Sequence, residues 1–144
     1  MKNNPIDIFK SFEGLNVLIV GDVMIDRYLV GEVTRVSPEA PVPVVHLQTS
    51  ENRLGGAANV ALNVKALGAN PFLFSVIGKD KDAELFLKLL PQEGIGTKGI
   101  IQSSKRVTTS KTRIIAGSQH LARVDNEDVH ELTPIEERDL LLQI

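Results

Sequence analysis

Three short runs of branched and aromatic residues, separated by stretches with helical spacing, constrain this chain more than any other feature. Residues 15–20 read LNVLIV, a continuous apolar run expected of a strand buried on both faces. Residues 72–77 (FLFSVI) and 98–102 (KGIIQ) supply two more core strands. Between them lie two helical segments, 57–67 and 80–90, the second with Leu85, Phe86 and Leu89 on one face. Strand–helix–strand–helix–strand order predicts a parallel sheet covered by helices. Four further β-prone segments do not fit that alternation. Residues 28–36 and 43–49 are bordered or broken by Gly31, Pro38, Pro41 and Pro43, and 107–115 with 119–124 form a hairpin around Gly117 and Ser118. With no helix between its strands, the hairpin is expected to join the proline-bordered pair in a separate β layer. The fold class is therefore α/β, a three-layer core with an inserted β-sheet lid.

The segment with the most site-like chemistry is RLGGAANVALNVKALG, residues 53–68. Its few polar residues predict a helix buried on nearly every side. Gly55 and Gly56 at its mouth permit a close approach to the main chain, and first-turn N–H groups suit an electronegative ligand. Asn59 and Asn63 lie four apart and share a helix face. Such a mouth suits a small polyhydroxylated molecule; a Gly-Gly turn with Asn59 satisfying the helix end is the plainer reading. At the end of the first core strand stands GDVMIDR, residues 21–27. Ligands of open α/β sheets bind at that edge, and a carboxylate there can accept hydrogen bonds from neighbouring sugar hydroxyls. Asp22 and Asp26 both qualify, against the alternatives of a cap and a surface ion pair. In the hairpin, Lys111 and Arg113 share a face and could clamp a phosphate, unless they are only the charges of a solvated hairpin. Asp80, between a strand and a helix, is an N-cap rather than a catalytic acid.

Several classes are excluded or left unsupported. A net charge of −2 gives no basicity that points to nucleic acid or an anionic membrane. The chain has no cysteine, so no thiolate metal site and no thiol nucleophile, and its three histidines are scattered. The N-terminal MKNNPIDIFKSF, with a short helix expected over 5–12, lacks the pattern of a secretory signal. No apolar run is long enough to span a bilayer, so a cytoplasmic location is expected. Phosphate loops, dinucleotide turns, nucleophile elbows and HExxH pairs are all missing. Near the end, Thr133 and Pro134 start a helix that stops while still apolar, as in part of a longer chain.

Four stretches together carry a resemblance: VGDVMIDRYLVGEVTRVSPEAPVPVV (20–45), RLGGAANVALNVKALGA (53–69), VIGKDKDAELF (76–86) and TTSKTRIIAGSQHLARVD (108–125). The chain resembles the N-terminal part of ribokinase-like (PfkB-type) carbohydrate kinases. Within them it is most similar to the branch acting on D-glycero-D-manno-heptose 7-phosphate in lipopolysaccharide core synthesis. The resemblance implies that residues 1–144 are the N-terminal part of a kinase domain, with the lid at about 28–49 and 107–124 and the C-terminal half absent. It implies that Asp26 binds sugar hydroxyls and that Gly55, Gly56 and Asn59 form the sugar-binding helix start. Lys111, Arg113, Gln119 and Arg123 match the lid face near the sugar phosphate. The reaction implied is transfer of the γ-phosphoryl group of ATP, with Mg²⁺, to the anomeric hydroxyl, in a homodimer formed through the lid. A kinase for another sugar, or a non-catalytic sugar-phosphate-binding or dimerisation module, are the alternatives. The GxGD motif that carries the family's catalytic base does not occur here. The chain alone is therefore expected to bind ATP weakly and to turn nothing over.

Overall fold

The computed structural model describes residues 4–144; the first three residues of the N-terminal segment discussed above lie outside it. The chain runs α1 (Pro5–Lys10), β1 (Asn16–Val20), β2 (Val23–Val36), β3 (Pro43–Gly56), α2 (Ala57–Ala66), β4 (Asn70–Ile77), α3 (Lys81–Gln92), β5 (Ile100–Gln102), β6 (Ser110–Ala116), β7 (Gln119–Asn126) and α4 (Pro134–Gln143). Two sheets result. One is parallel and three-stranded, in the order β1-β4-β5, and the other is four-stranded, in the order β3-β2-β6-β7. In the second sheet only β2 and β6 run parallel. The separate β layer expected from the sequence is this second sheet, the lid.

The core lies between the parallel sheet and α2 and α3. Ile19, Leu73 and Ile77 from the sheet meet Ala58 and Ala61 of α2 and Ala83, Phe86 and Leu90 of α3. Ile25 and Leu54 join them from the first residues of β2 and the last of β3. The two long strands thus begin or end in the core and run out into the lid. Helix α4 touches β4 and β5. It starts with Thr133 in a full capping box and Pro134 in first position, as its sequence predicts.

Two expectations about burial need correction. Strand β1 is not covered on both faces: Leu18 and Val20 are 53% and 52% exposed, because β1 is an edge strand whose helices pack on one side. Phe72, in register with Leu18, is likewise half exposed. Helix α2 is not buried all round either. Only Ala58 and Ala61 are buried, while Asn59, Val60, Asn63 and Lys65 face solvent. Small side chains let this helix sit close to the sheet, so one narrow stripe suffices for contact. The helix over 5–12 ends at Lys10 and buries none of its residues. The strands of the lid also run longer than their glycines and prolines suggest. The second strand, expected from residue 28, already begins at Val23, and Gly55 and Gly56 close β3.

Candidate functional site

Residue parity along β2 builds the site. Ile25 is fully buried in the core, so strand alternation turns Asp26, with Met24 and Tyr28, to the opposite face. Across β3 that face carries Gly55 opposite Met24, Arg53 opposite Asp26 and Glu51 opposite Tyr28. Across β6 it carries Lys111 beside Asp26 and Arg113 beside Tyr28, and β7 adds Asp125 and Arg123 in register with these two. Asp26 and Gly55 are therefore diagonal neighbours on one surface.

Backbone geometry explains the paired glycines. A Cβ on Gly55 would lie 2.8 Å from the Met24 Cγ, so Met24 lies over the bare backbone there. Gly56 has φ 59°, and a Cβ on it would lie 2.3 Å from the carbonyl oxygen of Asp22. That carbonyl accepts the Ala57 N–H at 2.8 Å. The start of α2 is thereby locked onto the corner between β1 and β2, and one of its first-turn N–H groups is already used. No side chain caps this helix, so Asn59 does not satisfy its end. Instead Asn59 lines a cleft of about 300 Å³ with Glu51, Arg53, Leu62, Leu89 and Glu93, between β3 and helices α2 and α3. Asp26 does not line that cleft.

Charge on the lid face is heavily paired. Arg113 forms an ion pair with Asp26. The guanidinium carbons of Arg53 and Arg113 lie 4.7 Å and 5.2 Å from the centre of the Tyr28 ring. Arg53 is held by Glu51 through contacts of 2.6 and 2.8 Å. Lys111 donates to Glu127 at 2.9 Å and to Asp125 at 3.2 Å, and these carboxylates raise its pKa. Arg123 binds Asp125 in bidentate fashion at 2.9 and 3.0 Å and lowers its pKa. Lys111, Arg113 and Arg123 do share one face, yet each is already neutralised by a carboxylate rather than free to clamp an anion. Gln119 stands apart at the hairpin tip, opposite Ala116, where it lines a separate cleft with Glu32, Val33 and Pro43.

Where the lid meets the core, a cleft of about 230 Å³ is lined by Asp22, Met24, Gly56, Arg106, Lys111 and Glu127, among others. Two tethers join the lid to the core. Asp80 accepts the Ala83 N–H at 2.8 Å, capping α3, and with its other oxygen accepts the Thr108 N–H at 2.8 Å. Burial opposes the charge of Asp80, but these N–H donors outweigh it and lower its pKa. Thr108 in turn accepts the Gly78 N–H at 3.0 Å. On the core side of β2, Arg27 reaches Asp82 at 2.6 Å and Asn52 at 2.9 Å. The structure thus gathers Asp26, Gly55, Gly56, Lys111, Arg113 and Arg123, sets Asn59 in a cleft that shares Glu51 and Arg53 with that face, and leaves Gln119 at the hairpin tip. Tyr28, Arg53 and Arg27 were missed, although the parity that selects Asp26 also selects Tyr28. No group of three or more His, Asp or Glu side chains that could hold a metal ion occurs among the described residues.

Comparison with known proteins agrees with this architecture. Residues 15–144 match the model of the pfkB family of carbohydrate kinases. The bifunctional protein HldE of Magnetococcus marinus is 48% identical over 117 residues, covering 81% of this chain and 24% of that protein. A D-beta-D-heptose 7-phosphate kinase of Bordetella bronchiseptica is 50% identical over 111 residues, covering 77% of this chain and 35% of that one. A sugar kinase of Pyrococcus horikoshii, solved in complex with ATP, superposes with a TM-score of 0.58 at 25% identity, covering 88% of this chain and 40% of its own. The chain spans 24% and 35% of the length of the two curated relatives. With its ribokinase-like sheet and lid, the chain belongs to the pfkB family of carbohydrate kinases.

Proposed function

We propose that this chain is the sugar-recognising part of a cytoplasmic kinase that phosphorylates D-glycero-D-manno-heptose 7-phosphate on its anomeric hydroxyl, with ATP as donor. The observation that carries the reading is the position of Asp26. Its carboxylate stands four residues past the sheet corner, diagonal to Gly55, on a face lined by Tyr28, Arg53, Lys111 and Arg113. A carboxylate on a rigid strand can accept hydrogen bonds from two adjacent hydroxyls and so fix a sugar ring. The Bordetella bronchiseptica relative is a D-beta-D-heptose 7-phosphate kinase, which supports the same substrate.

In this reading residues 4–144 bind, orient and shelter the sugar, and ATP with Mg²⁺ is held by residues outside this chain. Phosphoryl transfer depends on positioning and on keeping water from the phosphoryl group, and the lid serves both ends. By itself the chain binds ATP weakly and turns nothing over, and the complete enzyme pairs as a homodimer through the lid. The direct test is calorimetric titration of the chain with heptose 7-phosphate, ribose and fructose 6-phosphate. The heptose phosphate should bind tightest, and Asp26→Asn should weaken it by about 10- to 100-fold, as loss of a charged acceptor implies. Equal binding of all three sugars, or an unaffected Asn variant, would remove the basis of the assignment.

A further inference from the structure

Both chain neighbours of Asp26 are fastened on the face opposite its carboxylate. Ile25 is fully buried in the core. Arg27, on the same side of the strand as Ile25, donates through a terminal nitrogen to Asp82 at 2.6 Å and through Nε to Asn52 at 2.9 Å. Asn52 stands opposite Arg27 on β3, and Asp82 lies in the first turn of α3. One guanidinium therefore ties both long strands to a helix whose Ala83, Phe86 and Leu90 are fully buried. The side chains of Arg27 and Asp82 are 27% and 20% exposed, so salt and water screen the pair only in part. The Arg113–Asp26 pair differs in consequence. It joins β6 to β2 within the lid, so it cannot set the direction of the carboxylate relative to the core.

We propose that Arg27 is a positioning residue for the sugar-binding carboxylate. The inference rests on the reading of Asp26 given above and adds the group that fixes its direction. With Ile25 packed and Arg27 tied, the backbone is held on either side of Asp26, and the carboxylate leaves the strand in one direction relative to the core. Loss of the guanidinium removes one of those two fastenings. The strand keeps its ladders to β3 and β6, yet is free to twist beyond Ile25. A carboxylate that must meet two adjacent hydroxyls tolerates little of that, since a displacement of about 1 Å carries a large penalty. Arg27 itself lies on the face away from the sugar, so its influence on binding passes through Asp26.

The test is a double-mutant cycle read by calorimetry with heptose 7-phosphate. It uses wild type, Arg27→Gln, Asp26→Asn and the double variant, at a temperature where melts show all of them folded. Arg27→Gln should weaken binding by about 10-fold when Asp26 is present. With Asp26 already Asn, the same substitution should cost less than about 2-fold, because an effect carried by that carboxylate vanishes with it. Asp82→Asn cuts the tie from α3 without altering β2 and should give the same loss; it takes the place of Arg27→Gln in the cycle if that protein does not fold. Arg27→Lys, which keeps the charge without the fork, should recover part of the affinity. Either of two results overturns the proposal: unchanged affinity in both Arg27→Gln and Asp82→Asn, or an equal loss in both backgrounds, as a general loosening of the fold gives. Both leave the effect of Asp26→Asn standing. An Asp26→Asn protein that binds like wild type is a different outcome, and it would sink the reading of the site and this inference with it.

Discussion

Glu136 offers the sharpest stability prediction, because it is a buried carboxylate one layer beneath the lid–core cleft. Its side chain is 7% exposed, and one oxygen accepts the Thr133 N–H at 2.7 Å and the Thr133 hydroxyl at 2.8 Å. The other faces the Arg106 guanidinium at 3.7 Å. Burial alone would raise its pKa. The Ser103 hydroxyl, the Thr133 donors and the Arg106 charge outweigh burial and lower it from 4.5 to about 2. Each unit corresponds to roughly 1.4 kcal/mol, so the ionised carboxylate contributes on the order of 3 kcal/mol at neutral pH. The folded-state value lies below the unfolded one, so this stability is fully present above about 4.5 and is lost as pH falls through about 2. Glu136→Gln keeps the shape but sets an uncharged amide against Arg106. At pH 7 it should cost about 3 kcal/mol, a drop in Tm of roughly 6–12 °C for a chain of this size. Urea melts from pH 7 to pH 2 should show the two proteins converging in the acid. A constant gap across that range would mean that packing, not charge, holds α4 in place.

Two other substitutions probe the frame around the site. Gly56→Ala combines a left-handed φ with a Cβ 2.3 Å from the Asp22 carbonyl oxygen, so it should destabilise the chain by at least about 2 kcal/mol in urea; an unchanged midpoint would show that the β1–β2 corner yields freely. Leu18, Val20 and Phe72 share the uncovered face of the parallel sheet, half exposed, and should make the chain self-associate. Sedimentation of the double variant Leu18→Ser, Phe72→Ser should shift toward monomer, and a clean wild-type monomer would contradict the argument.

Legibility in the sequence followed the range of the interaction. Local signals were sufficient where the cause is local: Asp80 and Thr133 cap their helices, and the 110–126 hairpin turns at Gly117. Gly31 misled because it reads as a break. It is instead a point of close approach beside a register shift, where a Cβ would lie 2.2 Å from the His46 carbonyl oxygen. Burial was harder to read. LNVLIV looks the same whether one face or both are covered, since the covering residues are remote in sequence. The ion pairs were the least legible, for a related reason. Lys111 and Arg113 look equally available on paper, yet strand register gives one to Asp125 and Glu127 and the other to Asp26.

The same register decides which part of the lid can move. Ile25 is fully buried in the core and Asp26 is its neighbour, so the carboxylate cannot travel without disturbing the packing of Val23, Ile25 and Leu54. Just beyond, Arg27 is fastened to Asp82 of α3, and just before β6 the Thr108 N–H is fastened to Asp80. Bending of the lid is therefore borne past these tethers. The register shift at Val30 and Gly31 and the one at Ile114 and Ile115 already interrupt the ladder there. Asp26 then behaves as part of the rigid frame, while the strand tips carrying Gln119 are the portion able to swing. On the proposed reading of Asp26 as the carboxylate that holds a sugar ring, the fixed side of such a hinge is where it is best placed, and the Arg27–Asp82 tie holds it there.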